Sequence, residues 1–248
     1  MDTRERDTQA VGTYKPLPSI WVKSALLILT AVLPATAGAT PQKSKAVSVD
    51  ETAEIARVRH AKELLGRYFR LSKVENTVDQ NNGEIQAFVH EWVGQALAQK
   101  DRGRWKKFIP KLANAILTES QRYGFDPILL IAVIESESSF SPMAQGNAGE
   151  IGLMQIMPTT GKWISKRFQL KWDGRRSLYD PIVNVRIGAA YLAYLRAEFD
   201  FHGNHYLAAY NMGSSKVRRA LASQTTPKIY ASRVKERYLR VYAEFSKK

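Results

Sequence analysis

The 248 residues contain no cysteine, which excludes disulfides, zinc–thiolate sites, a cysteine nucleophile and lipid attachment through cysteine. Hydrophobic residues make up 44% and charged residues 24%, as expected of a chain that can build a core, so wholesale disorder is excluded. A formal net charge of +14 favours a polyanionic partner such as nucleic acid, anionic lipid or acidic cell-wall polymer.

At the N-terminus, polar residues with Lys15 and Lys23 lead into the apolar run Ser24–Leu33. Pro34 ends that run, and the small residues Ala35–Ala39 follow. A basic segment, an apolar stretch of about ten residues and an Ala-x-Ala site describe a secretory signal peptide over 1–39. The stretch is short of the roughly 20 apolar residues of a membrane span, and an uncleaved signal-anchor is the alternative. Either way the working part is expected to be exported, to the periplasm in a two-membrane cell. Residues 1–39 hold only four basic and three acidic residues, so the positive excess belongs to the remainder.

Thr40–Val49 is polar, contains Pro41, and reads as a linker. Residues 40–104 as a whole read as a linker and N-terminal helical region before a domain over 105–248. Asp50 can cap a helix carrying Ile55, Val58, Ala61, Leu64, Leu65 and Phe69 at three- and four-residue steps. Asn81-Asn82-Gly83 is a turn signal, and a second helix over Glu84–Gln99 is expected to bury Ile85, Phe88, Trp92 and Leu97. A third is expected over Trp105–Tyr123, with Pro110 tolerable only near its first turn and Gly124 after its end. Asp126-Pro127 then pairs an N-cap acceptor with proline at the first helical position. The run Ile128–Ile134 is apolar all round, as in a helix buried on every side. Further helices are expected around Thr159–Phe168, Pro181–Phe199, Tyr206–Tyr210, Ser214–Ala222 and Lys228–Phe245. No alternating strand pattern and no internal repeat appears, so the fold class is mainly α.

The buried helix ends in Glu135-Ser136-Glu137-Ser138-Ser139-Phe140-Ser141-Pro142, which puts two carboxylates where an apolar helix stops. Partial desolvation there raises a carboxyl pKa, which is what a general acid near neutral pH requires. Either glutamate alone is more often read as an outward-turned residue at a helix end. Three further clusters follow in order: the loop Gly146–Glu150, then Gly152-Leu153-Met154-Gln155, then Ala209-Tyr210-Asn211-Met212-Gly213. They supply a close backbone approach, amides and a phenol. The histidines 60, 90, 202 and 205 form no His-Glu-x-x-His pattern, and His202-Gly-Asn-His205 reads as a polar loop. No metal site, cofactor, phosphate loop or nucleic-acid motif is expected.

With Asp180-Pro181-x-x-Asn184, Gly188-x-x-Tyr191-Leu192 and Tyr230-x-x-x-Val234, these motifs resemble the soluble lytic transglycosylases, lysozyme-like enzymes of bacterial peptidoglycan. The resemblance runs from about Trp105 to the C-terminus. It implies a lysozyme-like helical catalytic domain, preceded here by additional N-terminal helices. In the family an aromatic and a proline stand three and five residues after the catalytic glutamate. Phe140 and Pro142 meet that spacing from Glu137, whereas Glu135 lacks it.

By resemblance, Glu137 is the single catalytic acid and base, cleaving the MurNAc–GlcNAc β-1,4 bond without water to leave a 1,6-anhydro end. Ser138 is expected to orient Glu137. With Met154, Gln155, Tyr210, Asn211 and Tyr230 it forms the expected substrate-binding set. Tyr230 also fits the apolar helix face Tyr230, Val234, Tyr238, Val241 and Phe245. The expected partner is the peptidoglycan glycan strand and not nucleic acid. Association with the membrane or with a secretion or cell-wall complex stays open, as does oligomeric state. The rival reading is a goose-type hydrolase of the same bond, for which Glu150, Asp173 or Asp180 would have to activate water.

Overall fold

In the computed structural model the described residues are 59–65, 82–98, 100 and 103–247. The expected signal peptide, the linker and most of the first helix lie outside them. Eight helices carry the described fold: α1 (Asn82–Ala98), α2 (Ile109–Tyr123), α3 (Pro127–Ser138), α4 (Pro158–Phe168), α5 (Pro181–Glu198), α6 (Gly203–Met212), α7 (Ser214–Ala222) and α8 (Ile229–Phe245). Residues 59–65 are also helical, and two short 3₁₀ turns span Lys106–Phe108 and Arg175–Tyr179. Among the described residues the only β pairing is two isolated bridges, Gln145 to Ile151 and Ile151 to Ile156.

The third expected helix starts later than its periodicity suggests. Lys106–Phe108 forms a 3₁₀ turn, and α2 begins at Ile109 with Pro110 in its first turn. Proline has no N–H to donate, which costs nothing at a helix start. Gly124 then closes α2 at φ 63°, a left-handed conformation that lacks a Cβ penalty only in glycine.

α3 is the axis of the fold, and Pro127 through Ile134 are all buried. α8 and α2 pack on it, α5 packs on α2, and α6 bridges α5 and α8. Burying a Leu or Ile side chain stabilises by about 1.5–3 kcal/mol, so this one helix contributes heavily to the core. Ile85, Phe88 and Leu97 of α1 join the same cluster. Trp92 packs against the cluster but is only partly buried, at the rim of a cavity between α1, α3 and α8.

The start of α3 is anchored by a buried polar network. The Asp126 carboxylate accepts from Ile128 N at 2.9 Å, from the Tyr238 hydroxyl at 2.8 Å, and from the Tyr242 hydroxyl. His60 Nδ1 accepts from Asp126 N at 3.1 Å, so the neutral ring carries its proton on Nε2 and faces the Tyr206 hydroxyl at 3.1 Å. Burial, helped by Arg196 and Arg59, pushes the His60 pKa well below the ordinary value. A bidentate pair from Arg196 to Glu63 (2.8 and 2.6 Å) ties residues 59–65 to α5. Every buried acceptor of Asp126 thus meets a donor, which is what burying a carboxylate demands.

Candidate functional site

α3 delivers two glutamates to opposite sides because residues two apart on a helix point about 200° from each other. Glu135 faces α1 and α8, where Arg240 closes an ion pair and the Trp92 indole donates a hydrogen bond. Glu137 faces the 144–156 loop and the start of α8, where the Tyr230 hydroxyl donates to its Oε1. Burial raises both carboxyl pKa values. For Glu135, Arg240 and Arg237 lead the opposition. For Glu137, the Tyr230 hydrogen bond and Arg233 oppose the rise, while the Glu150 charge adds to it.

The chain turns sharply after Glu137. Ser139 and Phe140 have φ 49° and 59°, and Gln155 opposite them has φ 48°. Left-handed backbone costs a non-glycine residue about 1–2 kcal/mol, so the turn at Ser139 and Phe140 that ends α3 is held at a cost. Phe140 is buried and holds the turn from below.

The loop carrying Gly152–Gln155 is fixed by Asn184 of α5. The Asn184 Nδ2 donates to Ile151 O (2.8 Å) and Leu178 O (2.9 Å), and its Oδ1 accepts from Met154 N (2.8 Å). Asn184 is fully buried, so the three bonds satisfy it and lock the loop. Gly152 has φ 80°, and a Cβ there would lie 2.9 Å from Asn184 Cγ and within clash distance of Leu178 O.

Of the expected site residues, Glu137, Tyr210 and Tyr230 come together. Each tyrosine feels the Glu137 charge, and burial raises both phenol pKa values well above the ordinary one. The Tyr210 hydroxyl donates to Met154 O at 2.8 Å. Asn211 is exposed at the end of α6, and its amide makes no hydrogen bond among the described residues.

Three of the expected site residues make contacts within the protein. Ser138 does not orient the Glu137 carboxylate. Its hydroxyl lies 2.8 Å from Leu153 O and 3.2 Å from Ile134 O, because at the last turn of α3 those backbone acceptors are nearer. Met154 is fully buried; a Cβ on Gly188 would stand 2.8 Å from Met154 Cβ. Its side chain therefore packs on α5 while its backbone positions Asn184 and Tyr210. The Gln155 Nε2 bonds Gly152 O (2.8 Å) and Ala144 O (3.3 Å), bracing its own loop.

The residues that periodicity did not single out are Arg233 and Asn184. Arg233 is one turn beyond Tyr230, with its guanidinium 5.2 Å from that ring's centroid. Asn184 stands in the Asp180-Pro181-x-x-Asn184 motif without an assigned role, and a buried asparagine inside an apolar helix is the signal for one. The three rival carboxylates differ in their surroundings. Asp180 caps α5 through Ile182 N and Val183 N (2.8 and 3.2 Å), and Asp173 is exposed beside Lys171. Glu150 accepts from Ala148 N at 3.1 Å.

Residues 114–232 match the family described as Transglycosylase SLT domain. The membrane-bound lytic murein transglycosylase C of Haemophilus influenzae (strain 86-028NP) is 29% identical over 210 residues, covering 79% of this chain and 56% of that protein. The protein of the same name from Actinobacillus succinogenes is 32% identical over 169 residues, covering 63% and 45%. The chain thus spans about half the length of these curated relatives. The 70 kDa soluble lytic transglycosylase SLT70 of Escherichia coli superposes with a TM-score of 0.50 at 24% identity, over 80% of this chain and 37% of that one. The helical fold built around α3 is therefore the lysozyme-like one, and residues 114–232 are similar to an SLT-type transglycosylase domain.

Proposed function

We propose that the protein is a lytic transglycosylase of peptidoglycan, with Glu137 as both acid and base. The observation that carries this reading is the half-buried Glu137 carboxyl, raised in pKa by burial and fixed at Oε1 by Tyr230. With Oε1 engaged, the proton of the acid form sits on Oε2, free to pass to a glycosidic oxygen. Departure of the GlcNAc alcohol leaves positive charge at C1 of the muramoyl ring, which the substrate's own acetamido group can stabilise. The Glu137 carboxylate then takes the proton from the muramoyl 6-hydroxyl as that oxygen bonds to C1, giving the 1,6-anhydro ring. Atoms balance without water, and the carboxyl returns to its starting form.

Intramolecular attack gains from effective molarity, so a second carboxylate is unnecessary. An inverting hydrolase instead needs a carboxylate some 6.5–9.5 Å away with room for water. Asn211 is exposed and makes no hydrogen bond among the described residues, and we assign it to holding a polar group of the glycan. The relatives' names and the basic excess fit an envelope location, and among the described residues no helix is long and apolar enough to cross a membrane. We assign residues 1–39 as the export signal.

The test is mass spectrometry of products from purified sacculi. Muropeptides lighter by one water than lysozyme products, and resistant to borohydride, are expected. Reducing ends as the main product would replace this reading with hydrolysis. Glu137→Gln should lower the rate by ~10²–10⁴-fold, and Glu135→Gln far less; equal losses in folded proteins would overturn the assignment of Glu137.

A further inference from the structure

A carboxyl that gives a proton and takes one back in the same turnover has to hold that proton neither too tightly nor too loosely at the working pH. Burial alone pulls Glu137 one way, towards a group that keeps its proton. Two charges of opposite sign reach it from two different elements. Arg233 of α8 stands one turn after Tyr230, and its guanidinium is 5.2 Å from the centroid of that ring. That is within the roughly 6 Å over which a ring face attracts a cation. The same ring carries the hydroxyl that donates to Glu137 Oε1. A cation against the ring draws electrons from the phenol and strengthens the donor, so Arg233 supports the carboxylate form through Tyr230 as well as by its own charge.

Glu150 comes from the 144–156 loop. Its Oε2 accepts from Ala148 N at 3.1 Å and lies over Gly146, where a Cβ would overlap that oxygen and stand 3.0 Å from Gln155 Oε1. The Gly146 backbone is not left-handed, so it is the space above it, and not its conformation, that calls for glycine. Held there, the Glu150 charge opposes ionisation of Glu137. The other groups facing Glu137 are the Tyr210 and Tyr230 phenols, which burial keeps protonated, while Glu135 points to the far side of α3. We propose that Arg233 and Glu150 are a matched pair of positioning residues, one acting through the Tyr230 ring and one seated over Gly146, that let Glu137 serve as acid and as base within one turnover. The proposal rests on the reading of Glu137 as the single acid and base.

The test follows full-length wild type and variants on soluble glycan-strand fragments across pH, with thermal melts to verify folding. The rate falls at high pH as Glu137 loses its proton, so the alkaline limb reports this group. Arg233→Gln is expected to move that limb to higher pH, and Arg233→Lys to restore most of the wild-type position. Glu150→Gln is expected to move it to lower pH, and Gly146→Ala to do the same because its Cβ expels the carboxylate. All four should keep kcat within about ten-fold of wild type, against the ~10²–10⁴-fold loss in Glu137→Gln. At ~1 M salt, where charges act over only about 3 Å, the limbs should converge. Limbs that coincide at low salt, or that move in the opposite directions, overturn the proposal. A Gly146→Ala limb at the wild-type position overturns the placement of Glu150. A raised KM in Arg233→Gln with the limb unmoved also overturns the proposal, since Arg233 would then be a substrate contact. So does a loss in Glu150→Gln as large as in Glu137→Gln, which would make Glu150 a second catalytic carboxylate. Reducing ends in the products, with the limbs shifted as expected, overturn the transglycosylase reading alone.

Discussion

Replacing Gly152 by alanine tests whether the loop beside Glu137 is held by Asn184. The residue has φ 80°, so any side chain adds left-handed strain of about 1–2 kcal/mol. The new Cβ also meets Leu178 O, which is backbone and cannot rotate away, and the Asn184 amide. Displacing Asn184 weakens its three hydrogen bonds, each worth about 1 kcal/mol net. Together these give a loss of about 3–5 kcal/mol. In a protein of this size 1 kcal/mol shifts Tm by about 2–4 °C, so a fall of roughly 10 °C is expected. Gly149→Ala is the control: φ is 98°, but nothing lies within 4 Å of its Cβ, so only the strain of about 1–2 kcal/mol remains. Thermal melts followed by circular dichroism read the stability, and sacculus digestion well below both midpoints reads the site. Gly152→Ala should lose most digestion because Met154, and through it Tyr210, shifts. Equal falls in Tm for the two variants, or full digestion by Gly152→Ala, would refute the reasoning.

Tyr230→Phe removes the hydrogen bond that lowers the Glu137 pKa, so the alkaline limb of the pH–rate profile should move to higher pH; a shift to lower pH contradicts the assigned donor. Glu137 is raised in the folded state, so the native carboxyl costs stability as pH climbs above the ordinary carboxylate range. Glu137→Gln should accordingly melt above wild type at pH 7 and match it near pH 4, which paired melts will show. His60 is depressed, so the unfolded chain takes up its proton first and stability falls as pH drops below about 6.5. Urea titrations of His60→Gln between pH 7 and 5 should show a flatter slope than wild type, and an unchanged slope would assign the effect elsewhere.

Helix order, the buried character of Ile128–Ile134 and the identity of the site motifs are legible along the chain because they depend on spacing within a few residues. Asp126-Pro127 starts a helix for local reasons, and the spacing of Phe140 and Pro142 matches the family's pattern from Glu137 and not from Glu135. What tertiary structure alone decided is which polar atoms meet. Ser138 sits beside Glu137 in sequence, yet its hydroxyl goes to Leu153 O, fifteen residues away. Met154 belongs to the same motif as Gln155, yet its side chain fills the space over Gly188. Trp92 lies on the apolar stripe of α1, yet α8 brings Arg240 to it and leaves a cavity. A hydrogen bond depends on ångström-scale approach between segments that periodicity treats as independent, so the partners of these atoms exist only once α3, α5 and α8 have packed.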